Sequence, residues 1–151
     1  MTMTIKWDLR FLEIAKLVSS WSKDPSTKTG AVIVRPDKTI VSLGYNGFPR
    51  GCDDSDDIYQ DRPIKYSKII HCEMNAILSA KQPLTGCTLY TYPFLTCDRC
   101  SVHVIQAGIT RVVAPTCPTH LQERWEDTFQ KARKYYEEAN VTVLVYGEQL
   151  I

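Results

Sequence analysis

Two short segments carry side chains of the types that bind transition metals and move protons. His71-Cys-Glu73 offers an imidazole and a carboxylate, and Cys97-Asp-Arg-Cys100 offers two thiols three residues apart. Zinc accepts imidazole nitrogen and thiolate sulfur, and side chains three apart at the start of a helix lie on one side of it. The partial positive charge of a helix N-terminus also favours the thiolate form. The two segments therefore predict a zinc site with His71, Cys97 and Cys100 as ligands.

The number of predicted ligands indicates a catalytic rather than a structural zinc site. Three protein ligands leave the fourth position to water, whereas a structural site needs a fourth residue. Catalysis at such a site requires a proton carrier, and Glu73 is predicted to be that catalytic residue. In the middle of a helix, residues two apart point to nearly opposite faces. The prediction therefore requires His71 to lie at the frayed first turn of its helix.

Size and composition restrict the classes of protein. The 151 residues are 44% hydrophobic, which predicts one domain over 1–151. The 18 basic and 17 acidic residues give a formal net charge of +1, without the positive excess of a protein that binds a nucleic-acid polymer. No apolar stretch approaches the ~20 residues of a membrane span, and the N-terminus lacks the apolar core of a secretory signal. We expect a cytoplasmic protein that binds neither nucleic-acid polymers nor membranes.

Hydrophobic spacing predicts the elements that position the two segments. An apolar stripe from Trp7 to Trp21, at spacings of four and three, predicts an amphipathic helix that packs on the core. Two runs around a turn at 36–39 predict a β-hairpin, and 46–66 is predicted to be a long loop. The hairpin strands are 30–34 and 40–45, further strands are predicted over 87–92, 110–114 and 141–146, and further helices over 70–80, 98–107 and about 120–139. Strands that alternate with helices indicate an α/β protein.

The two metal-binding segments together resemble the pattern of zinc deaminases that act on bases. The chain resembles the dCMP deaminase family of the cytidine-deaminase-like superfamily from about 11 to 145, and its Gly-Tyr-Asn-Gly-x-Pro-x-Gly segment looks most like the dCMP branch. The matching segments are Ser22–Lys28, Gly30–Val34, Gly44–Gly51, His71–Ile77 and Ile105–Ile109. The resemblance implies a three-layer α/β/α fold with a central mixed sheet of about five strands and helices on both faces. It also implies zinc-dependent hydrolytic deamination of dCMP to dUMP and ammonia, within pyrimidine nucleotide metabolism.

The resemblance also implies how the substrate is bound. Asn46 would hydrogen-bond the sugar, and the loop with Ser26 and Lys28 would approach the 5′-phosphate. A lysine is a point charge suited to phosphate, and hydroxyl groups add donors. The backbone N–H of Cys72 would donate to the ring carbonyl of a pyrimidine.

Regulation and assembly are further implications of the resemblance. Relatives respond to dCTP and dTTP through a segment that corresponds here to Gly44, Asn46, Gly47 and Gly51. The acidic run 53–57 is most simply a solvated loop, but it could border an effector site for a triphosphate with Mg²⁺. Relatives often form hexamers, so a homo-oligomer is expected.

Departures from the family pattern leave alternatives open. Thr96 precedes Cys97 where the family usually has proline, so the base pocket near 92–95 could differ. The substrate could then be another free base or nucleoside, or another free cytosine nucleotide such as a modified dCMP. An alternative of another class is a non-catalytic binding module stabilised by zinc, in which a fourth residue completes the coordination. The candidates for that residue are Cys72, Cys87, His103 and His120. Glu73 argues against the module, because a structural site needs no proton carrier.

Overall fold

A mixed sheet of five strands lies at the centre of the protein in the computed structural model, which describes residues 4–151. The strands are β1 (Gly30–Val34), β2 (Ile40–Tyr45), β3 (Thr88–Tyr92), β4 (Arg111–Pro115) and β5 (Thr142–Tyr146). The helices are α1 (Ile5–Ser19), α2 (Asp56–Gln60), α3 (Arg62–Lys68), α4 (Cys72–Ala80), α5 (Asp98–Gln106) and α6 (Thr119–Glu138), and a 3₁₀ turn follows at Glu148–Leu150. Among the described residues, no helix combines the length and apolar character needed to cross a membrane.

The order of the strands, β2-β1-β3-β4-β5, follows from their connections. A short turn joins β1 and β2, which pair antiparallel, and β1 is also antiparallel to β3. The helices α5 and α6 act as crossovers between β3, β4 and β5, which are parallel, as helix crossovers require. The predicted mixed sheet of five strands is confirmed.

Helices cover both faces of the sheet. On one face, Phe11 and Leu12 of α1 pack on Val32, Tyr90 and other strand residues. On the other face, α4, α5 and α6 share a larger core with the alternate strand residues, since side chains of a strand point to opposite faces in turn. The predicted three-layer α/β/α architecture is confirmed.

The segment predicted to be one long loop, 46–66, contains helical structure, so that part of the prediction is wrong. Residues 56–60 form α2, and α3 follows after a single residue, Asp61. The Asp61 side chain accepts a hydrogen bond from the N–H of Ile64, and Pro63 stands in the first turn. The first N–H groups of a helix have no hydrogen-bond partner within it. A capping side chain accepts from one of them, and a proline in the first turn has no N–H to leave unpaired, so both favour the start of a helix.

The first helix ends earlier than the apolar stripe predicts. The backbone N–H groups of Ser20, Trp21 and Ser22 donate to carbonyls three residues back, which tightens the chain beyond an α-helical turn. Trp21 therefore leaves the buried stripe, is 52% exposed and meets Tyr45 edge to face. Its predicted core position is wrong.

A buried polar network joins α1 to the sheet. The carboxylate of Asp8 is fully buried and accepts hydrogen bonds from the hydroxyls of Tyr90, at 2.6 Å, and Tyr146, at 2.8 Å, and from the guanidinium of Arg111. Burial alone would raise the pKa of Asp8, but the hydrogen bonds from Arg111 and the two tyrosines outweigh it and lower the pKa below its usual value. Asp8 therefore stays ionised and anchors α1 to three strands.

Candidate active site

The two segments that carry metal-binding side chains meet at the N-termini of two helices. His71 is the N-cap residue of α4, and Cys97 is the N-cap residue of α5. The Nδ1 atom of His71 lies 3.5 Å from Sγ of Cys97 and 3.3 Å from Sγ of Cys100. Cys97 and Cys100 lie on one side of the first turn of α5, where the N–H of Cys100 donates to the Cys97 sulfur. The fold thus brings one imidazole and two thiols together.

The spacing of these donors fits a tetrahedral zinc ion. Zinc bonds of about 2.3 Å to sulfur and about 2.0–2.1 Å to nitrogen place a nitrogen and a sulfur ligand about 3.6 Å apart at the tetrahedral angle. The two nitrogen-to-sulfur distances are 3.5 and 3.3 Å. The nitrogen and thiolate donor set is also the one that zinc prefers. His71, Cys97 and Cys100 can therefore hold zinc with little rearrangement.

Glu73 completes the metal-binding cluster and is buried at its side. Its Oε1 atom is 3.7 Å from Nδ1 of His71, and its Oε2 atom accepts a hydrogen bond from the Cys72 thiol at 3.0 Å. The potential metal-ligating atoms of His71, Glu73, Cys97 and Cys100 all lie within 4.8 Å of one another. His71 has an extended backbone, with ψ at 155°, so the two-residue spacing does not place it opposite Glu73. The structure thus places His71 at the helix start, as the proton-carrier prediction requires.

Charges in the metal-binding cluster stabilise one another. Hydrogen bonds with Cys97 and then Glu73 raise the pKa of His71 to about 10. The hydrogen bond from Cys100, and then that from His71, lower the pKa of Cys97 to about 5 against the effect of burial, while the pKa of Cys100 is raised by Cys97 and by burial. Burial would raise the pKa of Glu73, but His71 lowers it to about 2. The His71 cation and the Cys97 thiolate therefore stabilise each other, and zinc binding would displace the His71 proton, because the metal takes neutral imidazole and thiolate.

Contacts from α6 fix the loop that carries the cysteines. Thr96 forms a buried hydrogen bond with the hydroxyl of Tyr136. Thr128 accepts from the N–H of Asp98 at 2.8 Å and donates to its carboxylate. Hydrogen bonds to α6 thus hold the loop in place.

A glycine allows the other half of the site to approach the sheet. A Cβ atom at Gly44 of β2 would collide with the carbonyl oxygen of Cys72 and lie 2.5 Å from the nitrogen of Ala76. Only a residue without a side chain permits this close contact between a strand and the first turns of α4. The structure thus gives Gly44 a packing role in setting the position of His71 and Glu73.

A cavity opens beside the metal-binding cluster and contains most of the predicted substrate residues. Ser26, Asn46 and Cys72 line it together with His71, Glu73 and Cys97. Because Cys72 is the first residue of α4, its N–H has no partner within the helix and can serve a ligand. Lys28 is exposed and lies outside the residues that line the cavity, so its phosphate role stays a prediction.

The side chain of Asn46 organises the loop at the cavity wall. Its amide oxygen accepts from the N–H of Thr29 at 2.9 Å, and its amide nitrogen donates to the carbonyl of Thr27 at 2.9 Å. The nitrogen also reaches Asp24, whose carboxylate forms a buried ion pair of 2.7 Å with Lys65. Asn46 therefore shapes this wall through protein contacts, and its predicted bond to the sugar remains untested.

The residues of the predicted effector site are spread over different environments. Gly44 packs on α4, whereas Gly47 exchanges two backbone hydrogen bonds with Ile70. Gly51 is exposed, with φ at +84°, and a Cβ atom added there would meet no other atom within 4 Å. Within the acidic run, Asp54 forms an exposed ion pair with Lys23. The effector site stays a prediction.

The wall contributed by α6 was not predicted from the sequence. Trp125 and Phe129 of α6 form an aromatic cluster with Phe94, which lies in the segment 92–95 expected near the base pocket. The ring centroids are 5.3 to 6.3 Å apart, and all three residues line the cavity. Arg124 of α6 and Tyr66 of α3 also line it. The available signal was the spacing of Trp125 and Phe129, four apart on a predicted helix, but such pairs usually belong to a core.

Comparison with known proteins agrees with this site. A family profile described as the cytidine and deoxycytidylate deaminase zinc-binding region matches residues 5–116. The "Uncharacterized deaminase in luxG 3'region" of Aliivibrio fischeri is 44% identical over 141 residues, which cover 93% of this chain and 94% of that protein. The deoxycytidylate deaminase of Homo sapiens is 34% identical over 148 residues, which cover 91% of this chain and 78% of that enzyme.

Among solved structures, the dCMP deaminase from the cyanophage S-TIM5 in complex with dCMP and dUMP matches with a TM-score of 0.74 at 22% identity. The match covers 95% of this chain and 99% of that one. The shared fold and the cluster of one imidazole, two thiols and a carboxylate define a deaminase with a zinc-binding region. The chain belongs to the cytidine and deoxycytidylate deaminase family.

Proposed function

We propose that this chain is a zinc-dependent dCMP deaminase, with residues 1–151 as one catalytic domain. The observation that carries the proposal is the cluster of His71, Cys97 and Cys100 beside the buried carboxylate of Glu73. This cluster lies at a cavity that is lined by residues of several helices and loops. The names of the curated relatives support deoxycytidylate as the substrate. The reaction is hydrolytic: water supplies the oxygen that replaces the amino group at C4, and dUMP and ammonia leave.

Each residue of the metal-binding cluster has a distinct part in this proposal. His71, Cys97 and Cys100 would hold the zinc ion, which supplies the Lewis acidity that makes water nucleophilic at neutral pH. Glu73 takes one proton from the nucleophilic water and gives it to the ring nitrogen. It then takes the second proton from the hydroxyl group that has added to C4 and gives it to the amino group, which leaves as ammonia while the C4 carbonyl forms. Its burial keeps this carboxylate away from bulk water, so the protons pass between it and the reacting groups.

The cavity wall would orient the pyrimidine. The free N–H of Cys72 would donate to the ring carbonyl, and the loop that Asn46 organises would border the sugar. Ser26 lines the same wall and offers a hydroxyl group. These contacts hold the C4 position near Glu73, so they contribute through orientation.

The alternative function is that of a non-catalytic binding module stabilised by zinc. Cys72, Cys87, His103 and His120 are absent from the metal-binding cluster in the described part of the chain. Glu73 is the remaining group close enough to complete the coordination of a structural ion. A module of that kind would bind zinc through Glu73 and release no ammonia.

A substrate panel tests the proposal. Zinc-loaded protein is incubated with dCMP, deoxycytidine, dCTP, 5-methyl-dCMP and guanine at equal concentration, and ammonia release is measured. We expect the highest kcat/KM with dCMP. A higher value for 5-methyl-dCMP would favour the modified nucleotide, and no ammonia with any compound would favour the binding module.

We further propose, from the family resemblance, that the protein is a cytoplasmic homo-oligomer, a hexamer, regulated by dCTP and dTTP with Mg²⁺. The acidic run 53–57, near the segment 44–51, is the feature of this chain that supports an effector site. A dCMP rate curve that stays unchanged in dCTP and dTTP with Mg²⁺ would remove the regulatory proposal. Sedimentation gives the number of subunits.

A further inference from the structure

Two arginines share one hydroxyl group at the cavity. The phenol oxygen of Tyr66 accepts a hydrogen bond from Arg124 at 3.2 Å and from Arg62 at 3.3 Å. Tyr66 belongs to α3 and Arg124 to α6, so the contact joins the segment after β2 to the long helix. Because the oxygen accepts twice, the phenol proton points away from both guanidinium groups and can be donated elsewhere.

The positive charge of this pair has no anion within the described residues. Among residues 4–151, no carboxylate forms an ion pair with Arg62 or Arg124. The indole nitrogen of the neighbouring Trp125 is buried and also has no hydrogen-bond partner in that part of the chain. Buried donors without acceptors are rare in proteins and call for a partner. Arg124, Tyr66 and Trp125, which we call the donor cluster, thus offer the indole N–H, the phenol O–H and those guanidinium N–H groups that do not contact the Tyr66 oxygen.

The donor cluster belongs to the cavity that contains Glu73. All three of its residues line that cavity. Apart from His71, two cationic side chains line the cavity in the described part of the chain, Lys65 and Arg124. The charge of Lys65 is neutralised by Asp24 at 2.7 Å, and both side chains are buried. Arg124 is therefore the cation that remains for a ligand.

We infer that the donor cluster binds the phosphate of a nucleoside 5′-monophosphate and is the element that selects nucleotides over nucleosides. The inference rests on the proposed deamination of dCMP and deepens it. A guanidinium presents paired N–H groups that match phosphate oxygens, and hydrogen bonds to an ionised acceptor are about twice as strong as neutral ones. The phosphate would also satisfy the indole N–H of Trp125. Lys28, for which the family resemblance implies this role, does not line the cavity.

The test compares substrates with and without the phosphate. kcat/KM is measured with dCMP and deoxycytidine for the zinc-loaded wild type, Arg124→Gln, Lys28→Gln and the control Arg133→Gln, which removes the same charge from an exposed position of α6. Arg124→Gln should lower kcat/KM for dCMP roughly 10- to 100-fold, the size of one or two charge-assisted hydrogen bonds. It should leave the value for deoxycytidine within about twofold, and Arg133→Gln should change neither.

Binding of the product gives a second measurement that does not depend on turnover. Calorimetry with dUMP should show a similar loss of affinity in Arg124→Gln, and no such loss with deoxyuridine. Tyr66→Phe removes only a hydroxyl group from a half-exposed ring, so folding is not threatened, and it should weaken dUMP binding by up to about tenfold.

Three outcomes overturn the inference while the proposed function stands. One is a wild type that prefers dCMP together with an Arg124→Gln variant that retains this preference. Another is loss of the preference in Lys28→Gln instead. An equal loss for dCMP and deoxycytidine in Arg124→Gln would also refute selection by phosphate. A wild type that does not deaminate dCMP at all would instead refute the proposed function.

Discussion

Nδ1 of His71 lies 3.3 Å from Sγ of Cys100, a residue 29 positions further along the chain. Neither segment alone supplies enough donors for a catalytic metal site. The contact requires the starts of α4 and α5 to meet, and the packing of both helices on the same face of the sheet brings this about. The integrity of the site is therefore coupled to the packing of that face.

Removal of one thiol should remove the metal. Cys100→Ser is expected to lower the zinc content from about one ion per chain to near zero, because serine is a poor zinc ligand. Ammonia release from dCMP should fall with it. Cys52→Ser, at an exposed cysteine, is the matched control and should retain both zinc and activity. Zinc content by mass spectrometry is the measurement, and a fully loaded Cys100→Ser variant would contradict the ligand assignment.

Removal of the carboxylate should separate metal binding from turnover. Glu73→Gln keeps the size of the side chain but cannot carry a proton. We expect kcat to fall by at least about 10²- to 10⁴-fold with zinc content unchanged. Glu13→Gln, exposed on α1 on the opposite side of the sheet, should behave as the wild type. If Glu73→Gln lost zinc instead, Glu73 would be a ligand of a structural site.

A methyl group added at Gly44 should disrupt the packing of β2 against the first turns of α4, where Glu73 lies. Its Cβ would collide with the carbonyl of Cys72 and the nitrogen of Ala76, and backbone atoms cannot move aside cheaply. We expect Gly44→Ala to lower the free energy of unfolding by about 3 kcal/mol or more, at the upper end of overpacking effects. Gly47→Ala, whose Cβ would lie 3.5 Å from the Tyr59 hydroxyl, should change it by less than about 1 kcal/mol. Urea denaturation of both variants is the measurement.

The Asp8 network should make stability depend on pH. The pKa of Asp8 is lower in the folded protein than in the unfolded chain, where it is about 3.9. Its ionisation therefore stabilises the fold above about pH 4, and this contribution is lost as pH falls through the folded pKa. Asp8→Asn should cost about 3 kcal/mol at pH 7, because Arg111 keeps its charge without a counterion. The difference from wild type should shrink below pH 4.

Urea denaturation between pH 3 and 7 checks this behaviour. Asp127→Asn, at an exposed position of α6, is the control and should follow the wild-type curve. A stability difference between wild type and Asp8→Asn that stays constant over this range would show that Asp8 contributes by packing rather than by charge.

The metal-binding cluster could be predicted because histidine and cysteine are the residue types that usually bind zinc. His71, Cys97 and Cys100 each stand at a helix start that the apolar pattern also predicts, so position and chemistry agree. The strands were equally accessible, since alternation and turn residues at 36–39 mark the hairpin. Sequence patterns are enough to predict a site when its motif and the helix or strand that carries it are adjacent in the sequence.

The donor cluster and the aromatic wall could not be predicted for the opposite reason. Tyr66 and Arg124 are 58 residues apart, and nothing in either residue type points to the other. Trp125 and Phe129 resemble an ordinary buried pair on a helix. The helices at 56–68 were missed because acidic and proline residues there suggest a loop, although Asp61 and Pro63 serve as a cap and a first turn.

The long helix α6 has a consequence for how this enzyme can diversify. The family profile ends at residue 116, before α6 begins at Thr119, yet α6 contributes Arg124, Trp125 and Phe129 to the cavity. Part of the ligand-facing surface is thus encoded apart from the reactive groups. Exchange of the C-terminal stretch between relatives can change what is accepted as long as the new helix keeps Thr128 and Tyr136, which hold the cysteine loop. This makes α6 the place to begin when redirecting the enzyme to other nucleobases.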